Sequence, residues 1–248
     1  MTGQKNLRKS RFEGVDLRGS RFVEADLSGV VMRGVQVEGL DIDAPWLAEG
    51  ALVINGVDVA GFVETELNTL FPGRELRRAE DPGGLRRAWT VLQQTWAATL
   101  QRAQSMPPAA VEQSVAGEWS FAQTLRHLVL ATDVWLGRGV LELEQPFHPL
   151  GLDGAPPDPD APPSTVFSSE QPSFAEVLSA RADRQRMVSD FLATLTPQLL
   201  DQQRKNPHAP QYPETVRSCL HVILEEEWEH HRYAVRDLDA LAKASSAG

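Results

Sequence analysis

The stretch Glu225-Glu226-Glu227-Trp228-Glu229-His230-His231 places four carboxylates and two imidazoles within seven residues. On a helix, side chains share a face at a spacing of three or four, so Glu226 pairs with His230 and Glu227 with His231. Imidazole and carboxylate together suit zinc, iron, nickel or cobalt. A further ligand would come from a facing helix, and His127, in the stretch LRHL, lies early in another helical segment. Three protein ligands leave positions open for water or substrate, which is the pattern of a catalytic rather than a structural site. The competing reading is a solvated acidic face. Periodicity leaves both pairs open. At about 100° per residue Glu227 and His231 fall mid-stripe, where buried charged groups need a partner such as a metal. Glu226 and His230 fall at the edge of the stripe, which suits a site opening into a groove.

Four helices must position these residues. Asp81-Pro82 reads as an N-cap followed by proline at the first helical position, and Leu85, Trp89, Leu92, Trp96 and Leu100 then recur at helical intervals. Ser120 with Gln123, and Ser173 with Glu176, have capping-box spacing ahead of two further helices. The last helix runs from Pro213 to about Lys243, with Leu220, Leu224, Val235, Leu238 and Leu241 on one face. Between the second and third helices, the segment from Pro146 to Pro172 holds eight of the 17 prolines and reads as a long loop over the bundle. The expected architecture is mainly α, a four-helix bundle with one long crossing loop.

The N-terminal part has a different regularity, with a period of five. Phe12, Leu17, Phe22, Leu27, Met32, Val37, Ile42, Leu47, Leu52 and Val57 are all apolar, with small or modest residues two positions earlier and aspartate preceding several of them. This segment resembles the pentapeptide-repeat proteins. The resemblance implies a short right-handed β-helix with four repeats per coil and the central apolar residue directed at its axis. Residues 10–43 would make under two coils, too few to stand alone as a solenoid, so the segment is expected to pack against something. Around Asn55-Gly56, LVINGVDVA reads as two short extended runs and a turn. A short helix follows from Gly61 to Phe71 before Pro72-Gly73 ends it. The domains are therefore drawn as 1–60 repeat segment, 61–80 bridging helix and linker, and 81–244 bundle.

GEWSFAQTLRHL, with tryptophan eight residues before the histidine, and EEWEHHRYAVRDL in the last helix carry a second resemblance. Residues 82–244 resemble the DinB-like four-helix-bundle metalloproteins, which include thiol transferases and the mycothiol-dependent maleylpyruvate isomerase. The resemblance implies His127 as one ligand and the Glu-x-Trp-x-His pattern of Glu226, Trp228 and His230 as the other two, with Glu227 and His231 as the alternative register. Most relatives have histidine where Glu226 stands. It further implies a divalent metal, zinc first, with nickel, iron or cobalt as alternatives. Mycothiol or bacillithiol would be the co-substrate and a small electrophile the substrate, in an S-transferase or thiol-dependent isomerase that could form a homodimer. The alternative is a non-catalytic metal-binding protein, or an interaction protein that uses the repeat segment.

Other candidates carry weaker signals. His148, in FHPLGL at the start of the loop, is expected to reach the mouth of the site as a catalytic proton carrier. Arg126, Arg232 and Arg236 would meet an anionic substrate or pair with acids of the last helix. Cys219 has no neighbouring base and reads as a buried inert thiol.

Composition sets the outer bounds. The chain has 248 residues, 42% hydrophobic and 23% charged, enough to bury a core. With 24 basic and 34 acidic side chains its net charge is -10, which opposes binding to nucleic acid. Residues 1–47 are balanced, with seven basic and seven acidic side chains, unlike an acidic mimic of DNA. A single cysteine excludes an internal disulfide framework and zinc sites built on paired cysteines. No apolar run approaches the ~18 residues of a membrane span, so no membrane association is expected, and the cytoplasm is the expected compartment.

Overall fold

The computed structural model describes residues 6–154, 166–168 and 170–246. It divides into two units, residues 1–43 and residues 44–248.

In the first unit the period of five is written into the backbone. Lys9, Gly14, Gly19, Glu24, Gly29, Gly34 and Gly39 all have positive φ. Glycine adopts this conformation without steric cost, and it occupies five of the seven positions. Every tenth residue closes a turn, with the N–H groups of Ser10, Ser20, Val30 and Leu40 donating to the carbonyls of Leu7, Leu17, Leu27 and Val37. No strand is assigned among residues 6–43. The repeat apolar side chains from Phe12 to Ile42 stay 45–63% exposed rather than buried at an axis. With under two coils, each side of a solenoid is stacked at most once, so there is little interior to fill.

The second unit is helical. A hairpin, β1 (Val53–Ile54) and β2 (Val57–Asp58), turns on Asn55 and Gly56, both at positive φ, as the sequence predicts. Next come α1 (Ala60–Leu70) and a 3-10 turn, Arg74–Arg78. The four long helices are α2 (Pro82–Ser105), α3 (Phe121–Thr132), α4 (Phe174–Thr194) and α6 (Val216–Ser246), with the short α5 (Pro197–Leu200) after α4. The predicted caps form: Asp81 accepts the N–H groups of Gly83 and Gly84, and Ser120/Gln123 and Ser173/Glu176 are complete capping boxes. α2 packs on α4 and α6, and α3 packs on the same two helices, so the four enclose one core. No described helix is long and apolar enough to cross a membrane.

Two elements differ from the sequence expectation. Pro213–Thr215 is a strand, β4, pairing antiparallel with β3 (Gln203–Lys205), and the last helix begins only at Val216. Thr215 and Ser218 set that start, because each side-chain oxygen accepts the other's backbone N–H, at 3.0 and 2.8 Å. The helix expected after Ser120 is α-helical only to Thr132. It widens into a π-helix over Asp133–Val140, ending with the N–H of Leu141 donating to the Leu136 carbonyl.

The core contains polar groups that meet partners on other helices. On α6, Glu227 and His231 are 1% and 4% exposed. Glu227 meets Arg181 of α4, and His231 Nε2 lies 2.8 Å from Thr99 Oγ1 of α2. Trp96 and Trp228 flank the His231 ring edge-on at 5.1 and 5.8 Å. Burial in this apolar setting pushes the His231 imidazole down to about 4.

Two outcomes follow from this core. Arg181→Met leaves Glu227 as an uncompensated buried carboxylate and should cost about 3–5 kcal/mol in denaturant unfolding; a loss under about 1 kcal/mol would show that the pair is dispensable. His231 stays neutral when folded but gains a proton in the unfolded chain near pH 6.5, so stability falls as pH drops from about 6.5 to 4 and then levels. Wild type should lose up to about 3 kcal/mol over that window relative to His231→Gln, measured by urea midpoints at stepped pH; parallel curves for the two proteins would refute the assignment.

Candidate metal centre

His127 stands two turns into α3, and Glu226 and His230 stand one turn apart on α6. Because α3 and α6 pack side by side, all three meet. Glu226 Oε2 lies 3.4 Å from His127 Nε2 and 3.3 Å from His230 Nε2, and one donor atom from each residue falls within 4.8 Å of the others. Their side chains are 18, 23 and 14% exposed, so the cluster sits at the rim of the core rather than inside it. Burial alone would raise the Glu226 carboxyl, but the two facing imidazoles outweigh it and hold the group at about 2.

The surroundings orient the ligands. His127 Nδ1–H donates to the Leu152 carbonyl at 3.1 Å, which leaves Nε2 facing Glu226. A metal-ligating histidine is commonly fixed in this way through its other nitrogen. Trp119 covers both rings, with its centroid 4.9 Å from His127 and 5.9 Å from the nearly parallel His230. Tyr233 meets His230 edge-on at 5.6 Å. A side chain at Gly154 would come within 3.1 Å of the Trp119 indole, so only backbone passes over that edge.

Two imidazoles and one carboxylate, converging from two helices with one imidazole already fixed through its far nitrogen, fit a divalent metal of the zinc, nickel, iron or cobalt type. Three ligands are one short of a closed structural zinc site.

The alternative pair, Glu227 and His231, is not brought to this cluster, since each has its own core partner on another helix. Nor do the contacts of His148 include any of the three. Its backbone N–H donates to Asp133 Oδ2 at 2.7 Å, and its ring Nδ1 accepts the Leu150 N–H at 3.1 Å. Burial, with Arg184 nearby, lowers its pKa. Arg232 pairs with Glu229 and Arg236 with Asp237 on α6, while Arg126 donates to the Leu150 carbonyl. Cys219 is buried as expected, and burial pushes its thiol up to about 12. Trp228 and Trp135 pack the core, the latter at its margin.

Sequence reasoning missed the buried arginines Arg74 and Arg77, which meet Glu229 and Glu225 of α6 and Glu64 of α1. It also missed Leu152, whose contribution is a backbone carbonyl and leaves no trace in residue type. Asp133 was readable as an anomaly, a lone carboxylate inside the apolar stretch LVLATDVWL.

The sequence model of the DinB superfamily, a group whose members bind metals, matches residues 91–234, which include all three clustered residues. Eight copies of the pentapeptide repeat match residues 6–39. No curated protein and no solved structure gave a significant match. The convergence of His127, Glu226 and His230 at the edge of a helical core, together with a family match over more than half its length, places this chain in the DinB superfamily, with pentapeptide repeats at its N-terminus.

Proposed function

We propose that the protein is a divalent-metal-dependent enzyme that joins a low-molecular-weight thiol, mycothiol or bacillithiol, to a small electrophile, as an S-transferase or a thiol-dependent isomerase. The observation that carries this reading is the partly exposed three-ligand cluster, backed by the Leu152 carbonyl. When bound there, the metal supplies a Lewis acid that brings a thiol toward its anionic form near neutral pH. Zinc is the first candidate, with nickel, iron and cobalt behind it.

The chain's own residues do the rest. Glu226, held ionised, contributes a negative charge that His127 and His230 do not, which moderates the positive charge at the centre. Trp119 and Tyr233 wall the ligands with apolar surface and limit water at that edge. For the repeat segment alone, the half-exposed apolar positions from Phe12 to Ile42 favour a second role in binding another molecule.

The test is a conjugation assay with each metal, each thiol and an activated haloarene as model electrophile. Metal-loaded wild type should accelerate loss of free thiol, a chelator should abolish the effect, and Glu226→Gln should reduce it by at least ~100-fold, beyond what a change outside the ligand set costs. A metal-loaded, folded protein that neither binds such thiols nor accelerates conjugation would contradict the proposal and leave non-catalytic metal binding.

A further inference from the structure

Residues 146–152 run along α3 as a strap tied down at every second position. Arg184 Nη2 of α4 donates to the Pro146 carbonyl at 3.4 Å. The His148 N–H donates to Asp133 Oδ2 at 2.7 Å. Arg126 Nε donates to the Leu150 carbonyl at 3.0 Å, and the Leu152 N–H donates to the Arg126 carbonyl at 3.3 Å. The last tie is the Leu152 carbonyl, which accepts the Nδ1–H of His127.

The anchor of this strap is Asp133, a fully buried carboxylate where α3 widens into the π-helix. A buried carboxylate is held only where donors surround it. Here they are the guanidinium of Arg184, on both oxygens, and the backbone of His148. Arg184 thus grips both Asp133 and Pro146. The strap can lie this close because residue 137 is glycine: a Cβ there would sit 2.6 Å from Pro146 Cβ. Gly151 has the same role further along, where a Cβ would come within 3.2 Å of the His148 carbonyl and 3.4 Å of Leu130 Cβ.

A neutral imidazole has two tautomers, and the one present is set by the hydrogen bond at the far nitrogen. We propose that Asp133 and Arg184 are positioning residues for His127. By fixing the strap they place the Leu152 carbonyl, which holds a proton on Nδ1 and turns Nε2 toward Glu226 and His230. Neither residue touches the three ligands, and their effect reaches His127 only through the backbone of 146–152. The inference rests on the metal-centre reading for its consequence, but the tautomer can be measured without metal.

The experiment uses the full-length protein, metal-free, at pH 8, with long-range ¹H–¹⁵N correlation spectra reporting which nitrogen of His127 carries the proton. Zinc affinity by chelator competition and thermal midpoints are measured alongside. Wild type should show Nδ1 protonated and hydrogen-bonded. Asp133→Asn, Arg184→Met and Gly137→Ala, the last of which displaces Pro146 while leaving the Asp133–Arg184 pair intact, should each lower the protonated fraction of Nδ1 and leave the proton on Nε2. Each should also weaken zinc binding by ~10–100-fold, the usual cost of losing the group that orients a ligand. If Asp133→Asn or Arg184→Met does not fold, Gly137→Ala decides the matter. A purely structural role would lower the midpoints with the His127 spectrum unchanged, and that result would overturn the proposal. If wild type binds no zinc, the metal reading falls and the spectra still decide whether the strap sets the tautomer.

Discussion

The angular step of about 100° per residue on α6 is the constraint from which the rest of the structure follows. It divides the charged run 225–231 into three i, i+4 pairs that face different neighbours. Glu225 and Glu229 meet Arg77 and Arg74 of the 3-10 turn. Glu226 and His230 meet His127 of α3. Glu227 and His231 meet Arg181 of α4 and Thr99 of α2. Rotating the helix by one residue would bring each pair to the wrong partner and strand buried charge, which is among the costliest errors a fold can make. The rotation of α6 is therefore set by polar partners as well as by its apolar face.

That rotation explains why the metal-ligand candidates stand at the rim. The mid-stripe pair is fully enclosed, and each member meets a side chain of another helix rather than the His127 cluster. The neighbouring pair is partly exposed and converges with a histidine whose far nitrogen is already committed to the loop over α3. The same helix thus gives one pair to the core, one to the preceding segment, and one to the cluster with His127.

Much of this was legible in the sequence. Asp81, Ser120 and Ser173 marked three helix starts because a cap is a local device whose partners lie within three residues. The five-residue repeat was legible for the same reason. For the site, periodicity distinguished an edge pair from a mid-stripe pair, and the family resemblance chose the edge pair. Residue spacing alone could not choose, because the deciding partners, Arg181 and Thr99, lie 46 and 132 residues from theirs. Arg74 and Arg77, in the charged stretch RELRRAE, carry no sign of burial in their residue types and became visible as core residues only once Glu225 and Glu229 faced them. The π-helix after Thr132 and the carbonyl of Leu152 are backbone features with no residue-type signature.

The central claim is that the i, i+4 pairs of α6 divide between chemistry and stability, and a metal count across the two registers tests it most directly. Wild-type protein would be loaded with zinc, desalted and analysed for bound metal and denaturant stability beside His127→Ala, Glu226→Gln, His230→Ala, Glu227→Gln and His231→Ala. The account predicts near-stoichiometric metal in wild type, loss of metal with a retained fold in the first three, and reduced stability in the last two, with metal kept wherever the protein remains folded. Metal retained by Glu226→Gln and His230→Ala but lost from folded Glu227→Gln and His231→Ala would contradict it.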